Sequence, residues 1–382
     1  MSRPALTATA LACAGWLAAS AASGIHPHLD RSSVTGGCRA CHEGHGVSRS
    51  PMLPGPQSTV CLSCHSSQAA ADAMSARGLL SATAEPPLLS LDLSQPFSHP
   101  LDVEAFSRRE PGVVTCTSCH SPHRLSGEPP SAAAGSRRLS TRDPNRFENQ
   151  LCADCHGSAG VTTESLFDLS RFTSPNNRSF HPLEAPAVER SPSLRAELRD
   201  REINCTDCHG NSDPAGARGL HGSAVRHLLK AGYATVDGSP ESLETYQLCY
   251  DCHDRDRILD DTSPFPLHRR HVVDRQVACA TCHNAHGSVD NRALVRFGEE
   301  TFLANVGPSG FADRLEFVSS GPGSGSCFVS CHGIDHAPAS YGAAELLQAT
   351  DALRALPTRP SPTRPPRPAP AERPRRPRRP PP

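Results

Sequence analysis

Sixteen of the seventeen cysteines in this 382-residue chain form eight pairs, and the second cysteine of every pair is followed directly by histidine. Seven pairs have two residues between their cysteines, and the eighth has three. Any fold of this chain must therefore bring two thiols and an imidazole together eight times. In chain order the motifs are Cys38-Cys41-His42, Cys61-Cys64-His65, Cys116-Cys119-His120, Cys152-Cys155-His156, Cys205-Cys208-His209, Cys249-Cys252-His253, Cys279-Cys282-His283 and Cys327-Cys331-His332.

Disulfides and zinc are the ordinary alternatives for paired cysteines. CxxC pairs do bind zinc, and eight pairs could form four zinc sites. Neither disulfides nor zinc needs a histidine after every pair. With 20 histidines in 382 residues, eight such neighbours by chance have a likelihood on the order of 10⁻¹⁰. The C-x-x-C-H spacing is instead the attachment signature of haem c.

The signature has a chemical reason. Two thiols one short turn apart can form thioethers with the two vinyl groups on one porphyrin edge, and the next side chain can offer its imidazole to iron. The sequence therefore predicts eight covalently bound haems c, with the eight motif histidines as proximal ligands. The extra residue between Cys327 and Cys331 only loosens the turn.

Composition agrees with a core built on cofactors. Only 37 % of the residues are hydrophobic and 4 % are aromatic, and the chain has 37 Pro and 28 Gly. Side chains alone supply little apolar material for a core, whereas eight macrocycles can fill it. We expect short α-helices and long loops wrapped around the haems, with little or no β-sheet. The chain without haem should be largely unfolded, because cofactor binding and folding are coupled.

The motifs fall into four pairs, and the first motif of repeats one, two and four continues as CHxxH. In these features the chain resembles the doubled-CxxCH family of multihaem cytochromes, common in bacteria that respire extracellular metals. The resemblance covers residues 25–341 and implies electron transfer with redox partner proteins, including other cytochromes, and with acceptors at the outer surface. Repeat three departs from the pattern, because CHGNSD lacks the second histidine.

Twelve histidines lie outside the motifs, and eight are needed as second axial ligands. Methionine is disfavoured, since only Met52 and Met74 follow the leader segment. Two histidines three residues apart share one helix face, so the second histidine of CHxxH must serve a different haem from the first. His28, His227 and His271 remain alternatives to three of the candidates, and the role of His336 stays open. The candidate distal ligands are His26, His45, His99, His123, His181, His221, His268 and His286.

The sequence divides into a signal peptide, four repeats and a C-terminal extension. Arg3 and the apolar stretch after it are typical of a secretory leader. Twelve Pro and eight Arg in the last 26 residues predict a disordered tail. The expected segments are 1–23 for the leader, 24–66, 67–157, 158–254 and 255–341 for the repeats, 342–356 for a helix and 357–382 for the tail.

These features predict a secreted electron carrier or conduit, periplasmic or at the outer surface, and not an enzyme. The alternative is a multihaem reductase of a small nitrogen or sulfur oxyanion, which needs an iron with an open sixth position. All eight motifs end in histidine, and the only lysine, Lys230, lies in no motif. No nucleic-acid partner and no transmembrane segment in the mature chain are expected, and the sequence leaves polymerisation open.

Overall fold

The computed structural model describes residues 27–44, 46–47, 50–102, 104–106, 111–123, 148–157, 168–187, 189–199, 201, 203–297 and 306–342. The predicted leader, the tail and all but the first residue of the predicted C-terminal helix lie outside the described residues, as do His26 and His45.

The helices of the described chain are short, and the longest have nine residues. Six of the ten α-helices contain motif cysteines, so the helical turns are concentrated at the motifs. Short 3₁₀ turns occur at Gly37–Ala40, Ala196–Leu198 and Arg226–Leu228, and a π-turn at Arg269–Asp274. The α-helices are α1 Gln57–His65, α2 Gln68–Ala76, α3 Ser90–Leu93, α4 Cys116–Cys119, α5 Glu148–His156, α6 Ser170–Thr173, α7 Cys205–Cys208, α8 Gln247–Tyr250, α9 Arg255–Leu259 and α10 Cys279–Cys282.

The strands form three two-stranded ladders and one four-stranded antiparallel sheet. The ladders pair β1 with β2, β3 with β4, and β5 with β6. In the larger sheet, β9 pairs with β7, β8 and β10. The strands are β1 Gly46–Val47, β2 Ser50–Pro51, β3 Glu104–Phe106, β4 Pro111–Val113, β5 Ser179–Phe180, β6 Gly287–Ser288, β7 Val306–Gly307, β8 Glu316–Gly321, β9 Ser324–Cys331 and β10 Ile334–Tyr341.

The short helices agree with the sequence expectation, but the four-stranded sheet is more extensive than expected. Its strands hold the eighth motif, because Cys327 and Cys331 both lie on β9. Phe317 on β8 and Val329 on β9 are buried, so alternate side chains give the sheet one apolar face. The extra residue in this motif therefore accompanies a change of secondary structure.

Apolar side chains form only small clusters in the described chain. One cluster contains Ala71, Met74, Leu79 and Leu80. The other contains Tyr246, Tyr250, Leu259 and Val272. Beside the second cluster lies a cavity of about 4500 Å³, several times the roughly 300–1,000 Å³ of a pocket for one small ligand. The described part of the protein thus contains a large, partly open space that side chains do not fill.

Candidate haem-binding sites

Capped helical turns hold several of the motif cysteines. In α4 and α7 both cysteines occupy a single turn of helix, and a reciprocal capping box precedes each turn. Thr115 and Ser118 form the box of α4, and Asn204 and Asp207 form that of α7. Such boxes satisfy amide groups at the helix start and stabilise so short a helix. The two thiols are therefore presented on a fixed turn, and the histidine follows it.

Imidazole rings occur in eight pairs whose ring centres lie 5.7–6.5 Å apart. Seven pairs join a motif histidine to a histidine outside the motifs. The eighth joins two histidines that are both outside the motifs. The pairs are His42 with His123, His65 with His28, His120 with His221, His156 with His99, His209 with His286, His253 with His181, His283 with His268, and His271 with His336.

The spacing of these rings fits an iron held between them. Metal–imidazole bonds of about 2.0–2.1 Å, with about 1.1 Å from each nitrogen to its ring centre, place two ring centres roughly 6.2 Å apart. Simple aromatic contacts also fall between about 4.5 and 7 Å. Aromatic packing gives no reason, however, for seven motif histidines each to face one non-motif histidine. The residues present therefore fit haem iron with two imidazole ligands.

Hydrogen bonds orient several of these rings through Nδ1. The Nδ1 atoms of His65, His209 and His283 lie 2.8–3.0 Å from backbone carbonyl oxygens. That of His253 lies 2.9 Å from the hydroxyl oxygen of Ser193. An acceptor at Nδ1 fixes the ring and its tautomer, and leaves Nε2 available to a metal. Ser193 could not be identified from the sequence, since an isolated serine carries no ligand signal.

Burial favours the neutral form of several of the paired imidazoles. Burial, with a smaller contribution from neighbouring histidines, lowers the pKa of His120, His253, His268 and His286 to about 4. Burial also lowers the pKa of His283. Neutral imidazole is the form that binds metals, so these rings need not lose a proton at neutral pH to do so.

The structure brings most of the predicted ligands together. Four candidate distal residues for which the sequence offered no alternative each face a motif histidine: His99, His123, His181 and His286. His268, one of two alternatives, also faces a motif histidine, His283. In repeat three it is His221 that faces a motif ring, while His227 is exposed. His28 faces His65, the position for which the sequence analysis put forward His26.

The eighth motif differs from the rest. Among the described residues His332 faces no second imidazole, and its Nε2 atom lies 2.8 Å from Oδ2 of Asp237. Asp237 was not foreseen from the sequence, where only its position before Gly238 marked it, as a turn residue. Both His268 and His271 face other imidazoles, although the sequence analysis treated them as alternatives.

The motifs follow one another in space as they do in the sequence. The thiols of motifs two and three are hydrogen-bonded, and so are those of motifs four and five. The thiols of the other consecutive motifs interact electrostatically. The linked cysteines are Cys41 and Cys64, Cys61 and Cys116, Cys119 and Cys152, Cys152 and Cys205, Cys208 and Cys252, Cys249 and Cys279, and Cys282 with Cys327 and Cys331.

The ring pairs follow an alternating rule. The histidines of motifs one, three and five each face a histidine from further along the chain, which follows the next motif but one. These are His123 after motif three, His221 after motif five and His286 after motif seven. The histidines of motifs two, four and six each face a histidine that lies just before the preceding motif. These are His28 before motif one, His99 before motif three and His181 before motif five. Each repeat is therefore connected to its neighbours through the candidate ligands.

A matched pair of variants tests the choice between His28 and His26. Replacing His28 with Ala should turn one haem high-spin in the EPR spectrum of the oxidised protein, because His65 loses the ring 5.8 Å away. Replacing His26 with Ala should leave every haem low-spin. The opposite result would return the assignment to His26.

No group of three or more His, Cys, Asp or Glu side chains in the described ranges is arranged to hold a metal ion by itself. Within the same ranges, no helix has both the length and the apolar character needed to cross a bilayer.

Comparison with known families gives two matches. Residues 32–70 match the family model described as doubled CXXCH motif. Residues 205–299 match the one described as cytochrome c-type protein NrfB-like. No curated protein and no solved structure matched the chain. The two matched regions contain the first two motifs and motifs five to seven.

Proposed function

We propose, from the premise that this chain is a multihaem c-type cytochrome with the doubled CXXCH motif, that it binds eight haems c in series and transfers electrons outside the cytoplasm. The observation that carries the proposal is the set of eight imidazole pairs, each spaced to hold one iron. Sixteen motif cysteines supply the thioethers.

A bound haem c supplies a one-electron iron couple whose potential depends on its axial ligands and its surroundings. The residues of the chain would bind the haem and determine its surroundings. Paired imidazoles would hold each iron and keep small molecules from it, and ligation by histidine instead of methionine would favour low potentials. The cavity is lined by rings of five pairs, from His99 and His156 to His271 and His336.

Continuity along the series supports a conduit. Each motif has a cysteine beside the next motif, from Cys41 and Cys64 at one end to Cys282 and Cys331 at the other. Electrons can therefore enter at one end of the chain of sites and leave at the other. We propose other cytochromes and outer-surface acceptors as redox partners, and secretion across the inner membrane as the route to them.

The proposal predicts unselective, outer-sphere reactivity. The dithionite-reduced protein should pass electrons to chelated ferric iron and to several unrelated dyes, and cyanide should leave these rates unchanged because no axial position is open. Stopped-flow absorbance at the haem Soret band measures the rates. A His99→Ala variant serves as a positive control, since it exposes the iron at His156 and should bind cyanide.

A reductase would behave differently in the same experiment. Saturable, cyanide-sensitive reduction of nitrite, hydroxylamine or tetrathionate by the unmodified protein would overturn the conduit proposal. Such turnover requires an iron with an open sixth position, which the seven pairs that include a motif histidine do not leave.

A further inference from the structure

The contact that joins one repeat to the next differs in charge between two places in the described chain. At one of them the contact is made by Gln57 and at the other by Glu148. We propose that Glu148 is a positioning residue for motifs four and five, and that its buried carboxylate lowers the reduction potentials of the haems bound there. This inference rests on the proposed function, because it assumes haems at these motifs.

Gln57 and Glu148 occupy equivalent positions in their repeats. Each is the first residue of a nine-residue helix, four residues before the first cysteine of motif two or motif four. The side-chain oxygen of each accepts a hydrogen bond from a backbone amide, that of Thr117 at 3.0 Å and that of Thr206 at 2.7 Å. Both threonines follow the first cysteine of the next motif. The two contacts are therefore alike in geometry, but one acceptor is a neutral amide and the other a carboxylate.

Glu148 and its neighbour Asn149 hold the helical turn of motif five. The first amides of a helix have no partner within the helix, and α7 has only four residues. Glu148 accepts a hydrogen bond from the Thr206 amide, and the Asn149 side chain accepts one from the Cys205 amide at 2.9 Å. Asn149 also donates to the carbonyl oxygen of Ile203 at 3.1 Å. The start of α5, which carries motif four, thus fixes the turn that carries motif five.

The carboxylate of Glu148 lies inside the protein, beside the attachment points of two haems. Glu148 is 3 % exposed and lines the large cavity together with Cys152 and Cys205, the first cysteines of motifs four and five. A hydrogen bond with Cys205 and burial raise the pKa of the Cys152 thiol, and the negative charge of Glu148 raises it further. Glu148 also interacts electrostatically with Cys205. Its charge therefore acts on both motifs.

A carboxylate near motif three provides a comparison, because it lies at the surface. Asp102 accepts a hydrogen bond from the Ser58 hydroxyl at 2.7 Å, and Ser58 follows Gln57 as Asn149 follows Glu148. Asp102 interacts electrostatically with Cys116, the first cysteine of motif three. Asp102 is exposed, so water and salt screen its charge, whereas the charge of a buried group is screened much less.

The sign of the effect follows from the charge of the iron. Ferric haem carries one more positive charge than ferrous haem, so a nearby negative charge stabilises the oxidised form and lowers the reduction potential. The interaction is stronger in the interior than in water, because the effective dielectric constant is lower there. Burial and the surroundings of the ring are among the factors through which a protein sets haem potential. Glu148 should therefore make the haems of motifs four and five harder to reduce.

A redox titration of the full-length holoprotein, followed by EPR of the low-spin ferric haems, tests this proposal. Glu148→Gln removes the charge and keeps an oxygen that can accept the hydrogen bond from Thr206. The reduction equilibrium of at least one haem should shift about tenfold toward the reduced form, which corresponds to about 59 mV for a one-electron couple. Haem content and the low-spin signals should match those of the unmodified protein, because no iron ligand is changed.

The reciprocal substitution keeps the test decisive if Glu148→Gln does not fold. Gln57→Glu should lower the potential of at least one haem, by a smaller factor because Gln57 is only half-buried. Asp102→Asn is the matched control, since Asn keeps an acceptor for Ser58 and tolerates the φ of 58° at this position. Any shift in the control should disappear at high salt, whereas the shift in Glu148→Gln should persist.

Two results would overturn the role of Glu148. One is a set of unchanged potentials in a Glu148→Gln protein that has its full haem content, and the other is a shift in this variant that high salt abolishes. If Glu148→Gln does not fold, unchanged potentials in haem-loaded Gln57→Glu count equally against the proposal. A lack of haem in the unmodified protein would instead contradict the proposed function, so the two failures can be distinguished.

Discussion

Without haem, the chain should have no cooperative fold. The described structure buries apolar side chains mainly in two clusters of four residues, too few to stabilise a chain of 382 residues. The cavity of about 4500 Å³ would collapse or fill with water if no macrocycle occupied it. We therefore expect loss of the whole thermal transition rather than a lowered midpoint.

The experiment compares three forms of the protein. The haem-free form is made with every motif cysteine replaced by Ser, and circular dichroism and limited proteolysis measure its folding. The matched control replaces only Cys38 and Cys41, which are exposed and belong to the first motif. The control should retain a cooperative transition and resist protease. A haem-free chain that melts cooperatively would show that its side chains suffice for a core.

Removing His286 should take one ligand from a haem in the middle of the series and break a link between two repeats. His286 faces His209 from a distance of 6.2 Å and lies in the segment after motif seven, whereas His209 belongs to motif five. Replacing it with Ala should turn one haem high-spin and allow it to bind cyanide. We also expect a loss of about 1–3 kcal/mol in the free energy of unfolding, because a link between repeats is broken.

His227→Asn is the matched control for this variant. His227 is exposed and has φ 62°, a conformation that Asn tolerates. Its backbone carbonyl lies 2.9 Å from Nδ1 of His209 and is retained in the variant. The control should have the same haem spectrum and the same free energy of unfolding as the unmodified protein. If His286→Ala also keeps eight low-spin haems, the pairing of His286 with His209 does not represent ligation.

The attachment motifs could be predicted because their chemistry is local. Two thiols and an imidazole must lie within one turn, so their spacing in the sequence is enough to identify them. The argument that His123 and His286 cannot serve the haem of their own motif was also local, since it depended on helix geometry alone. Which motif each would face depends on how the repeats pack, and that is not encoded in any short stretch.

Choices between close neighbours were harder for the same reason. His26 and His28 are two residues apart, and both precede the first motif. The path of the loop decides which ring reaches His65, and loop paths follow from tertiary packing. The hairpin at the eighth motif was missed because the pair of cysteines predicted a helical turn, although Phe317, Val318 and the Gly-rich turn after them favour strands.

If the chain is exported as proposed, the alternating rule has a consequence for the order in which its haem sites are completed. A chain that emerges from its N-terminus already carries His28, His99 and His181 when motifs two, four and six appear, so those sites can be completed at once. Motifs one, three and five must wait until His123, His221 and His286 have crossed the membrane. If the ligands are as proposed, some irons have only their motif histidine and lack the second histidine ligand during translocation. A maturation factor or an unwanted ligand could bind at these irons.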